Sequence, residues 1–459
     1  MFSQTLTGSV LQEPRTLMSD NLQATQGQIS LREVDPDAIK VVRKLLAAGH
    51  EAYLVGGCVR DLYLGRKPKD FDVATSATPE QIRRLFRNSR IIGKRFRLAH
   101  VYFGPKIIET STFRTAPALG TSEELLITAD NEWGSEEDDA RRRDFTVNGL
   151  FLDADSGKIV DFVDGLVDLD RNVIRTIGAP LVRFREDPVR MIRAIKFAAR
   201  LGFDIEAETW DALLETVQDI VKCSRARVLE EIYKLLRGGA ATRSFELLLQ
   251  SKLLEWLMPH YVALYTDATD HGIARPDDTD LSSMSALFWR FLDALDAYTN
   301  DTRQTVGNGV LQALLFAPLV TGKLMTATPQ ALDRMIDELM TPACAALGVA
   351  RRDRDLARQI LMAHRRMTEV GPHRKRRLSL VQRQYFHDAL IFLGLSVKAH
   401  GDGGGELRHW QALASTHALP TMHEAAGKPS RRRRGGRKRR GAGGLARERQ
   451  PHRPASGES

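Results

Sequence analysis

The chain has 459 residues, of which 42% are hydrophobic and 27% are charged. That length exceeds what one ordinary hydrophobic core holds, so we expect two to four domains. No run of about 18 uncharged apolar residues occurs, and residues 1–31 lack the basic start and apolar centre of a secretory signal. We therefore expect no membrane partner and a cytoplasmic location.

The cysteine content favours a reducing compartment. Only Cys58, Cys223 and Cys344 occur, and they are far apart with no paired spacing. This pattern supports neither a disulfide framework nor a cysteine-based zinc site.

The net charge of +9 is concentrated at the C-terminal end of the chain. Residues 428–459 contain twelve Lys or Arg residues against two Glu residues, so the remainder of the chain is close to neutral. A Gly-rich cationic arm cannot bury a core, and we predict that this tail is disordered. It would favour polyanions through counterion release, although a purely solubilising tail is the alternative.

The first elements in chain order alternate strands with helices. Residues 1–34 are rich in Gln, Ser and Thr and are predicted to be disordered, and Asp35 and Pro36 then begin a helix. Thr78 and Gln81 form a capping box, which predicts a helix over residues 79–87. The predicted strands span residues 52–55, 71–74, 91–92, 100–103 and 107–112.

The chain becomes almost wholly helical after a patternless segment at residues 114–130 and an acidic helix start at residues 135–139. Apolar spacings of three and four predict the later helices. These helices span residues 183–201, 225–237, 244–257, 282–297, 310–319, 329–347 and 351–367. Candidate linkers lie at residues 267–280 and 401–405. The pattern is that of a head containing strands and helices on an all-helical body.

Two aspartates at a predicted strand indicate a metal site. Asp70 and Asp72 are two residues apart, so they project on one side of a strand while Phe71 turns to the other. Such carboxylates can share Mg²⁺ and leave positions for substrate phosphates. The alternative is that these aspartates merely occupy a strand end, where aspartate is common.

The paired glycines Gly56 and Gly57, followed by Arg60, indicate a phosphate-binding turn. Backbone N–H groups can approach a triphosphate there, and the positive end of the following helix points at the same anion. The alternative is a tight turn from strand to helix. A third carboxylate, Glu109, lies on the predicted strand at residues 107–112 and can join Asp70 and Asp72 if the two strands pair. The alternative for Glu109 is an exposed strand residue.

Four segments in order resemble the class II nucleotidyltransferases, the family of bacterial poly(A) polymerases and CCA-adding enzymes. They are LVGGCVRDLYLG (54–65), KDFDVAT (69–75), RRRDFTVNGLF (141–151) and EDPVRMIRAIKFAARLGF (186–203). The resemblance implies an α+β fold, with a small mixed or antiparallel-sheet nucleotidyltransferase head, an all-helical neck and body, and disordered termini. The segment IIGKRFRLAHV (91–101) and the basic tail are similar to those of the poly(A) polymerases.

The resemblance also implies the active-site residues. Asp70 and Asp72 become the catalytic pair that binds two Mg²⁺ ions, for which Mn²⁺ could substitute, and Glu109 becomes the third acidic group. Asp144 matches a catalytic residue near the nucleotide sugar, and Arg143 beside it matches a nucleotide-binding residue. From the residues alone, Arg141 to Arg143 could equally neutralise the acidic run before them.

A nucleotide-base site is implied at residues 186–193. Asp187, Arg190 and Arg193 fall on one helix face, where an aspartate acceptor and an arginine donor could read the edge of a base. The alternative is a helix cap with an ion pair between residues three apart.

The domain organisation follows from these segments. We predict a disordered segment at 1–34, a catalytic head at 35–175, a helical neck at 176–265, an RNA-binding helical body at 266–425 and a disordered basic tail at 426–459. The predicted RNA contacts are Lys94, Arg95, Arg374, Lys375, Arg376, Arg377, Arg431, Arg432, Arg433 and Arg434.

The sequence therefore predicts template-independent polyadenylation of RNA 3′ ends, with AMP taken from ATP, pyrophosphate released, and the tailed RNA marked for decay. Partners would be RNA, ATP and the RNA-decay machinery, and the protein is expected to be a monomer. One alternative is a CCA-adding tRNA nucleotidyltransferase. Another is a catalytically silent RNA-binding protein, against which the intact Asp70, Asp72 and Glu109 argue.

Overall fold

The predicted α+β architecture is confirmed by the computed structural model. It describes residues 27–93, 97–115, 132–268, 284–324, 326–369 and 374–416. A head built on a mixed sheet is followed by a region that is helical apart from one two-residue strand. Within the described ranges, every helix is too short or too polar to cross a bilayer.

The head contains a seven-stranded sheet in the order β3-β4-β5-β2-β1-β6-β7. Its strands are β1 Ala52–Val55, β2 Asp72–Thr75, β3 Ser89–Ile92, β4 Leu98–Phe103, β5 Lys106–Thr112, β6 Leu150–Leu152 and β7 Ile159–Asp161. Strands β2 and β5 pair in parallel, and the other neighbours are antiparallel. A separate parallel pair joins β8 Val173–Ile174 to β9 Asp204–Ile205.

Five short helices belong to the head. They are α1 Pro36–Ala47, α2 Gly57–Tyr63, α3 Pro79–Leu85, α4 Glu136–Arg141 and α5 Gly165–Asp170. The capping box predicted at Thr78 and Gln81 is present at the start of α3, and Ser135 forms a second one with Asp138 at the start of α4. In each box the two residues satisfy N–H groups that the first helical turn leaves without partners.

The remaining helices form the neck and body. They are α6 Pro180–Glu186, α7 Val189–Leu201, α8 Ala207–Thr216, α9 Arg225–Leu236, α10 Ala241–Gln250, α11 Leu253–Leu257, α12 Pro259–Ala268, α13 Met284–Thr302, α14 Asn308–Thr321, α15 Pro329–Leu347, α16 Arg351–Thr368, α17 Arg374–Val381, α18 Phe386–His400 and α19 Gly404–Thr416.

Two long helices predicted from the sequence are each split in two. The prediction of one helix over residues 183–201 is wrong, because Asp187 adopts φ −150° and ψ 89° between α6 and α7. Pro188 disfavours helical geometry in the residue before it, which accounts for this break. The helix predicted at 244–257 is interrupted at Lys252, whose φ is +56°.

The prediction that residues 1–34 are wholly disordered is wrong for residues 27–34. Ile29 and Val34 are buried in the core of the head, and the Ile29 N–H donates to the carbonyl of Gly157 at 2.8 Å. Two isolated apolar residues give no periodic signal, and their partners lie more than 100 residues away in the chain. Residues 1–26 lie outside the described part of the chain.

Of the two candidate linkers and the predicted loop, only the linker at residues 401–405 lies wholly within the described residues. Gly401, at φ +81°, ends α18, and α19 begins at Gly404 with Trp410 buried, so residues 401–405 form a turn between packed helices. Most of the other linker, and residues 116–130 of the predicted loop, lie outside the described residues, as does the predicted tail at 426–459.

One continuous core extends from the head into the helices. The rings of Phe145 in the head and Phe197 in α7 meet edge to face, with centroids 5.8 Å apart. Phe184 of α6 is also fully buried in this core. The neck is therefore packed against the head, which fixes the groove between them.

Replacing Thr78 with Ala should lower the free energy of unfolding by about 1 kcal/mol, because the first turn of α3 loses its side-chain acceptor. Urea denaturation measures the change. Thr78→Ser retains the hydroxyl and should stay near the wild-type value. Equal losses in the two variants would show that the hydroxyl acceptor is unimportant.

Candidate active site

A cleft of about 490 Å³ lies where the head meets α6 and α7. Eight basic and five acidic residues line it, so it suits an anion. Almost every predicted site residue among the described ones lies on its wall. These residues are Gly56, Gly57, Arg60, Asp70, Asp72, Arg143, Asp144, Asp187, Arg190 and Arg193.

The acidic side of the cleft lies at the start of β2. Asp72 is the register partner of Glu109 on the parallel strand β5, and Asp70 lies just before β2. Burial of the carboxyl group, together with the charges of Glu109 and Asp70, raises the pKa of Asp72 to about 6, although Arg143 opposes this shift. Carboxylates crowded in this way favour a cation between them.

Glu109 is turned partly towards the neighbouring strand. Its Oε1 atom lies 3.5 Å from Nε2 of His100, the residue opposite it on β4. Among the described residues, no three Asp, Glu, His or Cys side chains are grouped closely enough to hold one metal ion. The residues placed to hold a divalent cation are therefore Asp70 and Asp72, with the remaining ligand positions left to phosphate oxygens and water.

The glycine turn between β1 and α2 faces these acids. Gly56 has φ +74°, and a Cβ atom there would lie 2.9 Å from Nη1 of Arg143. A side chain at this position would therefore be strained and would displace Arg143. Helix α2 begins at Gly57, so its first N–H groups lie at the turn.

Arg60 stabilises the glycine turn through buried contacts, and its guanidinium group is not free to point at an anion. It is buried, with Nε donating to Asp61 Oδ1 at 2.8 Å and Nη1 donating to Asn148 Oδ1 at 2.5 Å. Arg200 of α7 pairs with the other oxygen of Asp61 at 3.0 Å. This network connects the glycine turn to the neck.

Asp144 is held by an ion pair across the boundary between head and neck. Its Oδ2 accepts from Arg193 Nε at 2.6 Å, while Oδ1 accepts from Asn148 and from the backbone N–H of Phe145. Burial opposes ionisation, but the charge of Arg193 outweighs it, and the pKa of Asp144 lies well below its usual range. Asp144 is therefore a permanent anion that fixes Arg193.

The three arginines before Asp144 neutralise the acidic run, which was the alternative left open by the sequence. Arg141 pairs with Glu137, and Arg142 and Arg143 both pair with Asp139. Arg143 also lies over the ring of Phe151 at 5.2 Å and lines the cleft. Arg143 therefore forms an ion pair with Asp139 and still lines the cleft.

The two residues predicted to read a base do not pair with each other. Asp187 Oδ2 accepts from Arg227 Nη2 of α9 at 2.7 Å, and Oδ1 is buried with no hydrogen-bond partner. Arg190 Nη1 donates to Glu186 Oε2 and to the carbonyl of Arg183, each at 2.9 Å. Both side chains are therefore held in fixed positions. The Oδ1 atom of Asp187 remains able to accept a hydrogen bond from a ligand.

Two cleft residues, Arg183 and Asn148, were not identified from the sequence. Arg183 Nη2 donates to the carbonyls of Arg142 and Arg143 at 2.6 Å and so ties α6 to the head. Asn148 bridges Arg60 and Asp144. The contacts of Arg183 and the contact between Asn148 and Arg60 join residues that only the tertiary fold brings together, although the position of Asn148 within the 141–151 segment could have indicated it.

The predicted RNA contacts fall largely outside the described structure. Lys94, Arg95 and Arg431 to Arg434 are not among the described residues. Arg374, Lys375, Arg376 and Arg377 form the first turn of α17, but their side chains also lie outside the description.

The fold matches solved structures of tRNA-modifying enzymes. The CCA-adding enzyme of Bacillus stearothermophilus in complex with CTP is 25% identical, with a TM-score of 0.60 over 86% of this chain and 89% of that one. A tRNA nucleotidyltransferase complexed with a primer tRNA and an incoming ATP analogue has a TM-score of 0.52 at 19% identity, over 82% and 99% of the two chains. The chain therefore has the fold of the CCA-adding nucleotidyltransferases.

Sequence comparison identifies the family of nucleotidyltransferases to which the chain belongs. Residues 52–175 match the "Poly A polymerase head domain", residues 202–264 the "Probable RNA and SrmB- binding site of polymerase A", and residues 325–442 the "Polymerase A arginine-rich C-terminus". Poly(A) polymerase I of Escherichia coli O157:H7 is 36% identical over 440 residues, 91% of each chain. The CCA-adding enzyme of Bacillus subtilis is 39% identical over 228 residues, 49% of this chain and 56% of that one. The chain belongs to the family of bacterial poly(A) polymerases.

Asp72→Asn should stabilise the metal-free protein at pH 8, raising its melting temperature by roughly 2 °C, because an ionised carboxylate is removed from beside Glu109 and Asp70. The pKa of Asp72 is raised from 3.8 to about 6 in the folded protein, so the gain should shrink as the pH falls through 6 and vanish only below the ordinary value of 3.8. Calorimetric scans across this range measure it.

Asp211→Asn, at an exposed position of α8, is the matched control and should show no such pH-dependent gain. An Asp72→Asn gain that persists unchanged at pH 4.5 would contradict the assigned repulsion.

Proposed function

We propose that the protein adds AMP from ATP to RNA 3′ ends without a template and releases pyrophosphate. The observation that carries the proposal is the acidic pair Asp70 and Asp72 facing a basic cleft that also contains Asp187 and Arg190. The 36% identity to poly(A) polymerase I over 91% of the chain supports the same activity.

The chain's own acids fit a divalent cation. Asp70 and Asp72 would hold Mg²⁺, or Mn²⁺ in its place, and Glu109 is their neighbour on β5. The raised pKa of Asp72 supports this assignment, because a bound cation would offset the repulsion among these carboxylates. When two ions are bound, they would lower the pKa of the RNA 3′-hydroxyl and stabilise the charge on the leaving pyrophosphate.

The glycine turn would hold the triphosphate. Gly56 and Gly57 allow backbone N–H groups to approach the phosphates, and Arg143 and Lys69 add positive charge beside them. Arg60 holds the shape of this turn through Asp61 and Asn148. The residues thus orient the α-phosphate towards the acids, which lowers the entropic part of the barrier.

The unpartnered oxygen of Asp187 supports recognition of adenine. Oδ1 could accept from the exocyclic amine of the base, and a free N–H of Arg190 could donate to the adjacent ring nitrogen. Cytosine offers the same pattern of donor and acceptor, so the hydrogen bonds alone would not exclude it. Arg227 and Glu186 hold the pair in place, so the two groups would meet the base with little reorganisation.

The RNA would leave the cleft along the helical body, and the tail at residues 428–459 would add phosphate contacts. The match of residues 202–264 to a probable RNA- and SrmB-binding region supports an RNA path here. Tails added in this way would mark RNA for decay.

Gly56→Ala should weaken ATP binding at least tenfold, because its Cβ would push Arg143 out of the cleft. Gly65→Ala is the matched control, since Gly65 has a similar φ of +64° but open space at the Cβ position. Isothermal titration calorimetry measures both variants. Equal loss of ATP affinity in both would show that backbone strain, rather than the position of Arg143, is responsible.

With Mg²⁺ and a short unstructured RNA, the purified protein should produce long homopolymeric extensions from ATP and almost none from the other nucleoside triphosphates. Denaturing gels of separate reactions resolve the products. Extension that stops after a few residues and requires CTP would instead establish the CCA-adding activity, which the likeness of the catalytic half to CCA-adding enzymes favours.

Asp72→Ala should abolish extension while RNA affinity stays near the wild-type value, whereas Asp211→Ala should extend RNA normally. A fully active Asp72→Ala variant would refute the metal assignment.

A further inference from the structure

A second pocket of about 290 Å³ lies in the neck, apart from the catalytic cleft. The 3₁₀ helix Val217–Lys222, the start of α9, the junction of α11 and α12, and the end of α15 enclose it. Its floor is apolar, with Leu257, Met258 and Tyr261 buried. We call it the Trp256 pocket, after the residue at its rim.

The rim exposes large apolar side chains to solvent. Val221 is 63% exposed and Trp256 is 44% exposed, and both line the pocket. Exposing such groups beside a concave apolar surface is unfavourable unless a ligand covers them, and it is typical of binding sites. An indole ring in this position offers a flat face for stacking.

The charged groups at the pocket all point to an anionic ligand. Arg225 lines the rim, is exposed, and makes no ion pair with any described residue. His260 lies exposed on the same rim, and no acidic residue is among the described residues that line the pocket. Arg225 also lies at the first turn of α9, whose positive end adds to this potential.

We propose that the Trp256 pocket binds an unstacked base of the RNA upstream of its 3′ end, with the base on Trp256 and the adjoining phosphate on Arg225. Single-stranded RNA is bound in this way elsewhere, by aromatic stacking combined with a nearby cation. The inference rests on the proposed function, because that function supplies the RNA.

Helix α9 links the pocket to the cleft. Arg225 and Val228, three residues apart, face the pocket, while Arg227 on another face donates to Asp187 in the cleft. The two sites therefore lie against different faces of one helix, whose overall diameter is about 10 Å. An RNA whose 3′ end lies in the cleft would reach the pocket with a base upstream of the nucleotides held in the cleft.

The test measures binding of oligoadenylates of 3 and 10 nucleotides by fluorescence anisotropy, without ATP or metal ions. Trp256→Ala should weaken binding of the 10-mer about tenfold and leave the 3-mer unchanged. Trp256→Phe retains a ring and should stay within about threefold of wild type. Arg225→Gln should weaken the 10-mer and lower its salt slope by about one.

The matched control is Leu46→Ala, at an exposed apolar residue of α1, and it should bind both oligomers normally. The chain has five tryptophans, so the 10-mer should quench wild-type emission more than that of Trp256→Phe. This comparison holds even if Trp256→Ala does not fold.

The proposal would be overturned if Trp256→Ala and Arg225→Gln bound the 10-mer with wild-type affinity and if the 10-mer quenched wild type and Trp256→Phe equally. That result would indicate that the pocket binds a protein partner instead. Loss of affinity for both oligomers alike would also overturn it. Because these measurements omit ATP, they are independent of adenylylation, so a protein that binds the 10-mer through Trp256 but never extends it would refute only the proposed activity.

Discussion

The cleft between the head and the neck depends on the ion pair between Asp144 of the head and Arg193 of α7. A carboxylate removed from water is stable only when it is paired, and Asp144 satisfies both of its oxygens with Arg193, Asn148 and a backbone N–H. The same contact draws α7 against the sheet, where Phe197 meets Phe145. The ion pair thus sets the width of the groove in which all the chemistry would occur.

The cleft contains many charges, but most of them neutralise one another. Arg60, Arg143 and Arg193 are each matched to an aspartate, which holds their side chains in place. What remains for a ligand is a smaller set of groups, chiefly the carboxylates at the start of β2, the N–H groups of the glycine turn and the second oxygen of Asp187. Fixed groups of this kind need little reorganisation when charge develops in a transition state.

Local sequence patterns predicted the parts of the site that depend on strand geometry. Asp72 and Glu109 lie opposite each other because β2 and β5 pair, and both strands were visible in the sequence, but the side chain of Glu109 turns towards His100. The partners of Arg60 and Asp187 were not predictable, because Asn148 and Arg227 lie 88 and 40 residues away along the chain. Pro188 did carry a signal for the break between α6 and α7, but the apolar spacing around it masked that signal.

The three cysteines differ in a way that has a chemical consequence. Cys58 beside the cleft and Cys344 in the body are buried, and burial raises the pKa of each thiol to about 12, so neither forms the reactive thiolate readily. Cys223 is only half-buried and lines the Trp256 pocket. A thiol-directed dye would therefore attach preferentially to Cys223, beside Trp256. The native chain could thus be labelled in its neck without an engineered cysteine.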